Sequence, residues 1–361
     1  MAPALARSLP GLGVSSRRPA IIGGLALALA IVMIVALCVG PMPIGFETVL
    51  AAIGDKLGLA SSGSVTHVQE AVLFSIRLPR ILLAGAVGAI LAASGAALQG
   101  LFRNPLADPA LIGVSSGAAL GAAGWIVFGS TLVAAQPWLA LGGYTRAVAA
   151  FIGGIVATFV LFRIGGRRGR TSVATLLLAG IAINALGGAV LGFLSYLSSN
   201  QELRDITFWM LGSFGNASWR ACLLLIPAAV LLCIGFSRFA SVLNVFMLGE
   251  TEARYLGIHV QRLKIVLVVM VALGVGLATA FTGVIGFIGL VTPHLLRLSG
   301  GPDHRLVIPG AALLGAVLTV GADTLARTLV SPAELPVGIL TALIGAPFFM
   351  WLLLRQRKLE F

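Results

Sequence analysis

The sequence predicts an all-α polytopic membrane protein of about ten transmembrane helices. Three observations predict it. The 361 residues are 58% hydrophobic and only 10% charged. The apolar residues fall in long continuous runs, such as Ile21–Gly40 and Val337–Leu354. Lys and Arg lie in the gaps between those runs. Soluble domains carry about 25% charged residues, and a mean hydropathy of +1.05 belongs to chains that satisfy their backbone within helices in lipid. An outer-membrane barrel needs short segments of alternating polarity, which continuous runs exclude. The net charge of +12 would suggest nucleic acid in a soluble protein. Here the basic residues lack interleaved aromatics and act as topology signals and contacts for anionic lipid, so no nucleic-acid partner is expected.

Runs of about 17 to 25 apolar residues give ten candidate spans: 21–40, 80–99, 111–129, 146–164, 172–197, 219–237, 263–281, 284–298, 307–328 and 336–354. The first follows Arg17 and Arg18 and is longer than a signal-peptide core. No small residue precedes Cys38 as a lipoprotein cleavage site requires, so this run reads as a transmembrane helix with a cytoplasmic anchor. Spans two and five carry Ala84-Gly85-Ala86-Val87-Gly88 and Gly187-Gly188, small residues that let helix backbones approach closely. The eighth span is short and Gly-rich and reads as broken or tilted. Near the outer end of the ninth, Asp323 and Arg327 are spaced i, i+4 and placed to pair with each other.

An even number of spans puts both termini on one side. With the N-terminus inside, seventeen of the 24 Lys and Arg are cytoplasmic and seven are external, which supports N-in, C-in. The organisation is a cytoplasmic tail (1–20), a single ten-helix domain (21–357) and a short cytoplasmic end (358–361). Two connections exceed a turn: Pro41–Pro79 outside and Phe239–Arg262 inside. The inner one is amphipathic, with Leu248, Tyr255 and Leu256 near one helical face and Glu252 and Arg254 elsewhere. Its Glu residues favour docking into a partner's groove over an anionic lipid surface.

No catalytic chemistry is legible. A nucleotide-binding loop needs Gly immediately before its Lys, and Asp55, Leu263 and Arg357 precede the only three lysines. Any ATPase is therefore another chain. His67, His259, His294 and His304 form no HExxH or i, i+4 pair and read as solvated or interfacial residues rather than metal ligands. Cys38, Cys222 and Cys233 show no paired spacing and read as small buried hydrophobes. No metal site and no cofactor of the chain's own is expected. The spans lack the mid-membrane acids of a proton relay. A stand-alone secondary carrier or channel therefore remains only an alternative, through sodium coupling on backbone carbonyls.

Several strings then occur in order: Arg77-Leu78-Pro79-Arg80, Gly100-Leu101-Phe102-Arg103-Asn104-Pro105-Leu106-Ala107-Asp108-Pro109, Leu177-Leu178-Ala179-Gly180, Phe208-Trp209-Met210-Leu211-Gly212-Ser213, Gly286-Phe287-Ile288-Gly289-Leu290-Val291-Thr292-Pro293-His294, Glu334-Leu335-Pro336-Val337-Gly338 and Gly345-Ala346-Pro347-Phe348-Phe349. Together they resemble the FecCD-type permeases of ABC importers for ferric siderophores, heme and cobalamin, from about residue 20 to 357. The resemblance implies a type II importer permease in the bacterial inner membrane, with a path between two identical copies. It implies two cytoplasmic ATPase subunits that hold ATP and Mg, and a periplasmic substrate-binding protein. It implies that Arg77 and Arg80, with Arg327, form a positive outer rim that docks the binding protein. It assigns ATPase coupling to Leu248, Gly249, Glu250, Ala253, Leu256 and Gly257, and a cytoplasmic gate to Asn104, Pro105, Leu106 and Ser172. The string Leu203-Arg204-Asp205-Ile206-Thr207-Phe208-Trp209 looks most like heme permeases, although cobalamin permeases carry something similar. Heme is the expected cargo, with ferric siderophore and cobalamin as alternatives. A mainly apolar wall suits transit of any of them, since a deep binding well would slow release.

Overall fold

The apolar runs fold into a helical bundle, described here from a computed structural model over residues 14–58, 65–139, 144–167, 170–171 and 173–357. In chain order the helices are α1 (Val14–Cys38), α2 (Phe46–Lys56), α3 (His67–Ala71), α4 (Leu78–Phe102), α5 (Val114–Ala135), α6 (Thr145–Gly165), α7 (Val173–Leu197), α8 (Asn200–Met210), α9 (Trp219–Phe246), α10 (Glu250–Tyr255), α11 (Val260–Thr282), α12 (Ile288–Gly300), α13 (His304–Ala326) and α14 (Val337–Arg357). Among the described residues, eight segments are long and apolar enough to cross a membrane, and Val337–Trp351 of α14 is a shorter apolar stretch. The remaining predicted span, the eighth, is α12. Its 13 residues rise only about 20 Å against a hydrocarbon core of about 30 Å. The predicted break is present: residues 283–287 are non-helical, and Phe287 stands in the left-handed region at φ 67° just before α12.

Two local signals turn the outer connections into helices. Thr66 and Gln69 form a reciprocal capping box that starts α3, and Ser199 and Glu202 form another that starts α8. Each satisfies backbone donors that a helix start leaves free. The chain therefore enters the second span well before Arg80. A π-turn at Val72–Arg77 joins α3 to α4 just ahead of Pro79, which has no N–H to continue the ladder. Likewise Phe208 and Trp209 lie on α8, not in a loop. Among the described residues the only β-structure is the antiparallel pairing of Gly166–Arg167 with Arg170–Thr171, between α6 and α7.

Helix α4 is the axis of the bundle and packs against α9, α11, α12 and α13. Almost its whole length is buried, from Pro79 to Phe102. Small residues make this possible: a Cβ at Gly88 would overlap the Gly315 carbonyl of α13, and one at Gly95 the Gly289 carbonyl of α12. In lipid, where burying apolar side chains between helices yields little, such close contact is the main adhesive.

Candidate functional site

The outer end of the bundle holds the three arginines expected to form an exposed rim. They do not form one. Arg77, Arg80 and Arg327 are all buried, and each is committed to another part of the chain. Helix α1 has no basic residue in its last turn, so its terminal carbonyls need donors from elsewhere. Arg77 donates to Leu37 O, Cys38 O and Met42 O, and Arg327 donates to Ala36 O. Two guanidinium groups thus cap α1, where positive charge also suits the helix dipole. Arg80 presents Nε and Nη2 to the Asp323 carboxylate at 2.9 and 2.8 Å, and Nη1 to both oxygens of Glu334 at 3.0 and 2.9 Å. The planar fork of arginine fits two carboxylates in this way. Asp323 therefore pairs across the bundle with Arg80, not along its own helix with Arg327.

Glu334 leads from this cluster to a cavity. Its side chain is 43% exposed, and it helps line a polar space of about 360 Å³ with Arg146, Asp205, Phe208, Trp209 and Phe281. The floor is a junction of the turn after α8, the end of α11 and the start of α14. Ser213 N donates to Thr282 O, Val337 N to Gly212 O, and Gly338 N to Leu211 O. The segments meet so closely that a Cβ at Gly283, which has φ 73°, would strike the Trp209 carbonyl. Beyond the junction the same segments continue into an open apolar groove of about 580 Å³, lined by Leu211, Val284, Phe287, Gly338, Ala342 and Ala346 among others. Consecutive residues of three segments thus line first the polar cavity and then the apolar groove along α14.

At the inner end, α10 is anchored on one side and bare on the other. Ala253 is fully buried, and Gly249 takes φ 145° at the turn into the helix. Glu250 accepts from Arg254 at 2.6 Å and from the buried Lys264 of α11 at 2.9 Å. Burial alone would raise the Glu250 carboxyl, but Lys264 and then Arg254 hold it below its ordinary range. Leu248, Tyr255 and Leu256 are 70%, 87% and 66% exposed. Of the six residues expected to couple to a partner, Leu248 and Leu256 face outward and Gly257 is exposed, whereas Gly249, Glu250 and Ala253 hold the loop to the bundle.

Near α10 a second polar cluster ties the helix ends together. Asp303 accepts from Asn244 at 2.7 Å, caps the start of α13 at Arg305 N, and pairs with Arg18 of α1. Burial pushes its carboxyl up, but Asn244, the Arg305 N–H and Arg18 outweigh that and hold it low. His304, expected to be solvated, is buried, with Nδ1 2.8 Å from Asn244 Oδ1. His294 is half-buried and meets the Phe348 ring edge-on. Among the described residues no group of His, Cys, Asp and Glu could hold a metal. The turn at Asn104, Pro105 and Leu106 is closed by Asn104 Oδ1, which accepts from Leu106 N at 2.9 Å. Ser172 lies outside the described residues.

The residues that sequence reasoning missed are Glu334, quoted only within a string, and Arg146 and Asp205, read only as an outer charge and part of another string. Nothing in their spacing signals that α6, α8 and the 333–336 segment converge.

A family model described as the FecCD transport family matches residues 28–355. The hemin transport system permease HmuU of Yersinia pestis is 48% identical over 327 residues, 87% of this chain and 96% of that protein. The cobalamin import system permease BtuC of Halobacterium salinarum is 38% identical, covering 92% of this chain and 95% of that protein. A solved structure, an inward-facing conformation of a proposed metal-chelate type ABC transporter, superposes with a TM-score of 0.80 at 34% identity, over 93% of this chain and 99% of that one.

Proposed function

The chain belongs to the FecCD transport family of permeases, and from that premise we propose that it carries heme across the bacterial inner membrane as one of two identical permease subunits of an ATP-driven importer. The observation that carries the proposal is the polar cavity leading into an apolar groove along α14. This chain leaves the groove open on one side, so a second copy against it would complete a path. The 48% identity to a hemin permease favours heme over cobalamin, for which the identity is 38%.

In this reading two ATPase subunits on the cytoplasmic side bind ATP and Mg. Leu248, Tyr255 and Leu256 are the apolar surface they cover, while Glu250 and Ala253 keep that surface fixed to the bundle. The Asn104-Pro105-Leu106 turn is the cytoplasmic gate. Binding-protein docking falls to the outer surface that the arginine cluster supports, with Arg77, Arg80 and Arg327 acting through the backbone and acids they hold.

The test is reconstitution in liposomes with the ATPase subunits and the binding protein. Hemin-loaded binding protein should stimulate ATP hydrolysis and deliver hemin to the lumen. Stimulation by cobalamin-loaded protein alone would reassign the cargo. Uptake driven by an ion gradient without ATPase subunits would overturn the importer reading.

A further inference from the structure

The outer cavity combines two features found together nowhere else among the described pockets. One is a guanidinium without an assigned partner. Arg146 lines the cavity at the start of α6, and among the described residues it takes part in no ion pair. The other is a set of ring faces. Phe208, Trp209 and Phe281 line the same space, Phe208 is 63% exposed, and Tyr144 lies beside Phe281 with ring centroids 6.1 Å apart.

The charges around the cavity set the ligand's polarity. Glu334 is occupied, with both oxygens accepting from Arg80. Asp205 accepts only a long 3.4 Å contact from Gln201. Arg146 is therefore the one lining cation free to meet an anion, and Asp205 in the same lining disfavours an anion near itself. A guanidinium reads a carboxylate through two parallel hydrogen bonds, and aromatic faces take up a flat conjugated ring. The cavity's 360 Å³ lies at the low end of small-molecule sites, roughly 300–1,000 Å³, so it takes only the edge of a large ring.

We propose that this cavity is a receiving site for planar, carboxylate-bearing ligands, in which Arg146 pairs with the carboxylate and Phe208, Trp209 and Phe281 hold the ring edge. The proposal rests on the heme reading above and deepens it, because it makes the acidic edge of the ring, rather than the iron, what the permease selects. A corrin ringed by neutral amides offers Arg146 no such partner.

The test is absorbance titration of the full-length chain in lipid nanodiscs with hemin, hemin dimethyl ester and cobalamin. Wild type should bind hemin roughly tenfold or more tightly than the ester, the range a lost charge-assisted pair produces. Arg146→Ala should weaken hemin by the same factor and leave the ester unchanged. Arg146→Lys should keep part of the preference, and Asp205→Asn should tighten hemin. Retained ester affinity shows that a variant is folded; if Arg146→Ala does not assemble, the Lys variant and the wild-type hemin-to-ester ratio decide. Equal binding of hemin and ester by wild type, or equal weakening of both in Arg146→Ala, would overturn the proposal while leaving heme transport intact. Reconstituted uptake of cobalamin but not hemin would overturn the heme reading itself.

Discussion

The outer arginine cluster and the inner α10 loop use their side chains in opposite ways. Outside, three cations that look available for a partner are spent within the chain, on the end of α1 and on Asp323 and Glu334. Inside, a loop with strong charges spends those charges on its own attachment, and it leaves Leu248, Tyr255 and Leu256 uncovered. Charge in a sequence therefore does not locate a partner surface. What the proposed partner surfaces share is a side chain the fold has left unsatisfied: apolar at the inner end, and at the outer end Arg146 rather than the arginines of the opening motif.

The contrast is broken most severely at Asp323. Asp323→Ala leaves the Arg80 guanidinium with only the partly exposed Glu334, at a site where the Arg80–Asp323 pair is 8% and 2% exposed. The loss therefore approaches the roughly 3–5 kcal/mol that removing one partner of a buried pair costs. Thermal unfolding in detergent should show a large loss, and a shift no greater than that of a surface mutant would refute the structural role. Glu334→Gln, on the exposed side of the same fork, should cost less, about 1 kcal/mol.

Glu250→Ala comes next. It removes the carboxylate that Lys264 reaches from a buried position, at about 1–3 kcal/mol by the usual cost of unmaking such a bond. It should also lower ATPase stimulation by letting α10 shift. Smallest in stability is Tyr255→Ser, within about 0.5 kcal/mol because the side chain is exposed. That variant sharpens the comparison, since stimulation of the ATPase should fall although melting does not. Normal coupling in Tyr255→Ser together with Leu248→Ser would remove the inner loop's assigned role.

Acid separates the regions in another way. The carboxyls of Glu250 and Asp303 are both held below their ordinary range, so each contributes stability that is complete above the unfolded-state value of about 4 and fades as pH falls through the depressed one. Between pH 8 and 6 neither contribution should change. Below about pH 4, hydrogen exchange in α10 and at the start of α13 should rise first, and Glu250→Gln should abolish that response in α10 alone.

Hydropathy made the bundle legible, down to the break before α12, because lipid forces every backbone group into helices and leaves long apolar runs as the record. The exposed face of the inner loop was also legible, since its apolar residues share one side of a turn. The outer end was not. Whether Arg77 points to solvent or to the carbonyls of Leu37 and Cys38 depends on where α1 ends in space. Asp323 chose Arg80, 243 positions away, over Arg327, four positions away. Short-range rules rank the near partner first because they cannot see the packing of α13 on α4. Arg146, Asp205 and Glu334 come from three distant segments, so no local pattern gathers them.

The junction under the outer cavity has a consequence in time. Its three backbone bonds join residues near 212, 283 and 338, which leave the ribosome far apart, the last with the final span. Until α14 is inserted, the segment after α8 lacks the donors for Gly212 O and Leu211 O. The floor between cavity and groove is therefore complete only once α14 joins the bundle. A chain cut before residue 337 would leave the ribosome with nine spans in place and its floor unfinished.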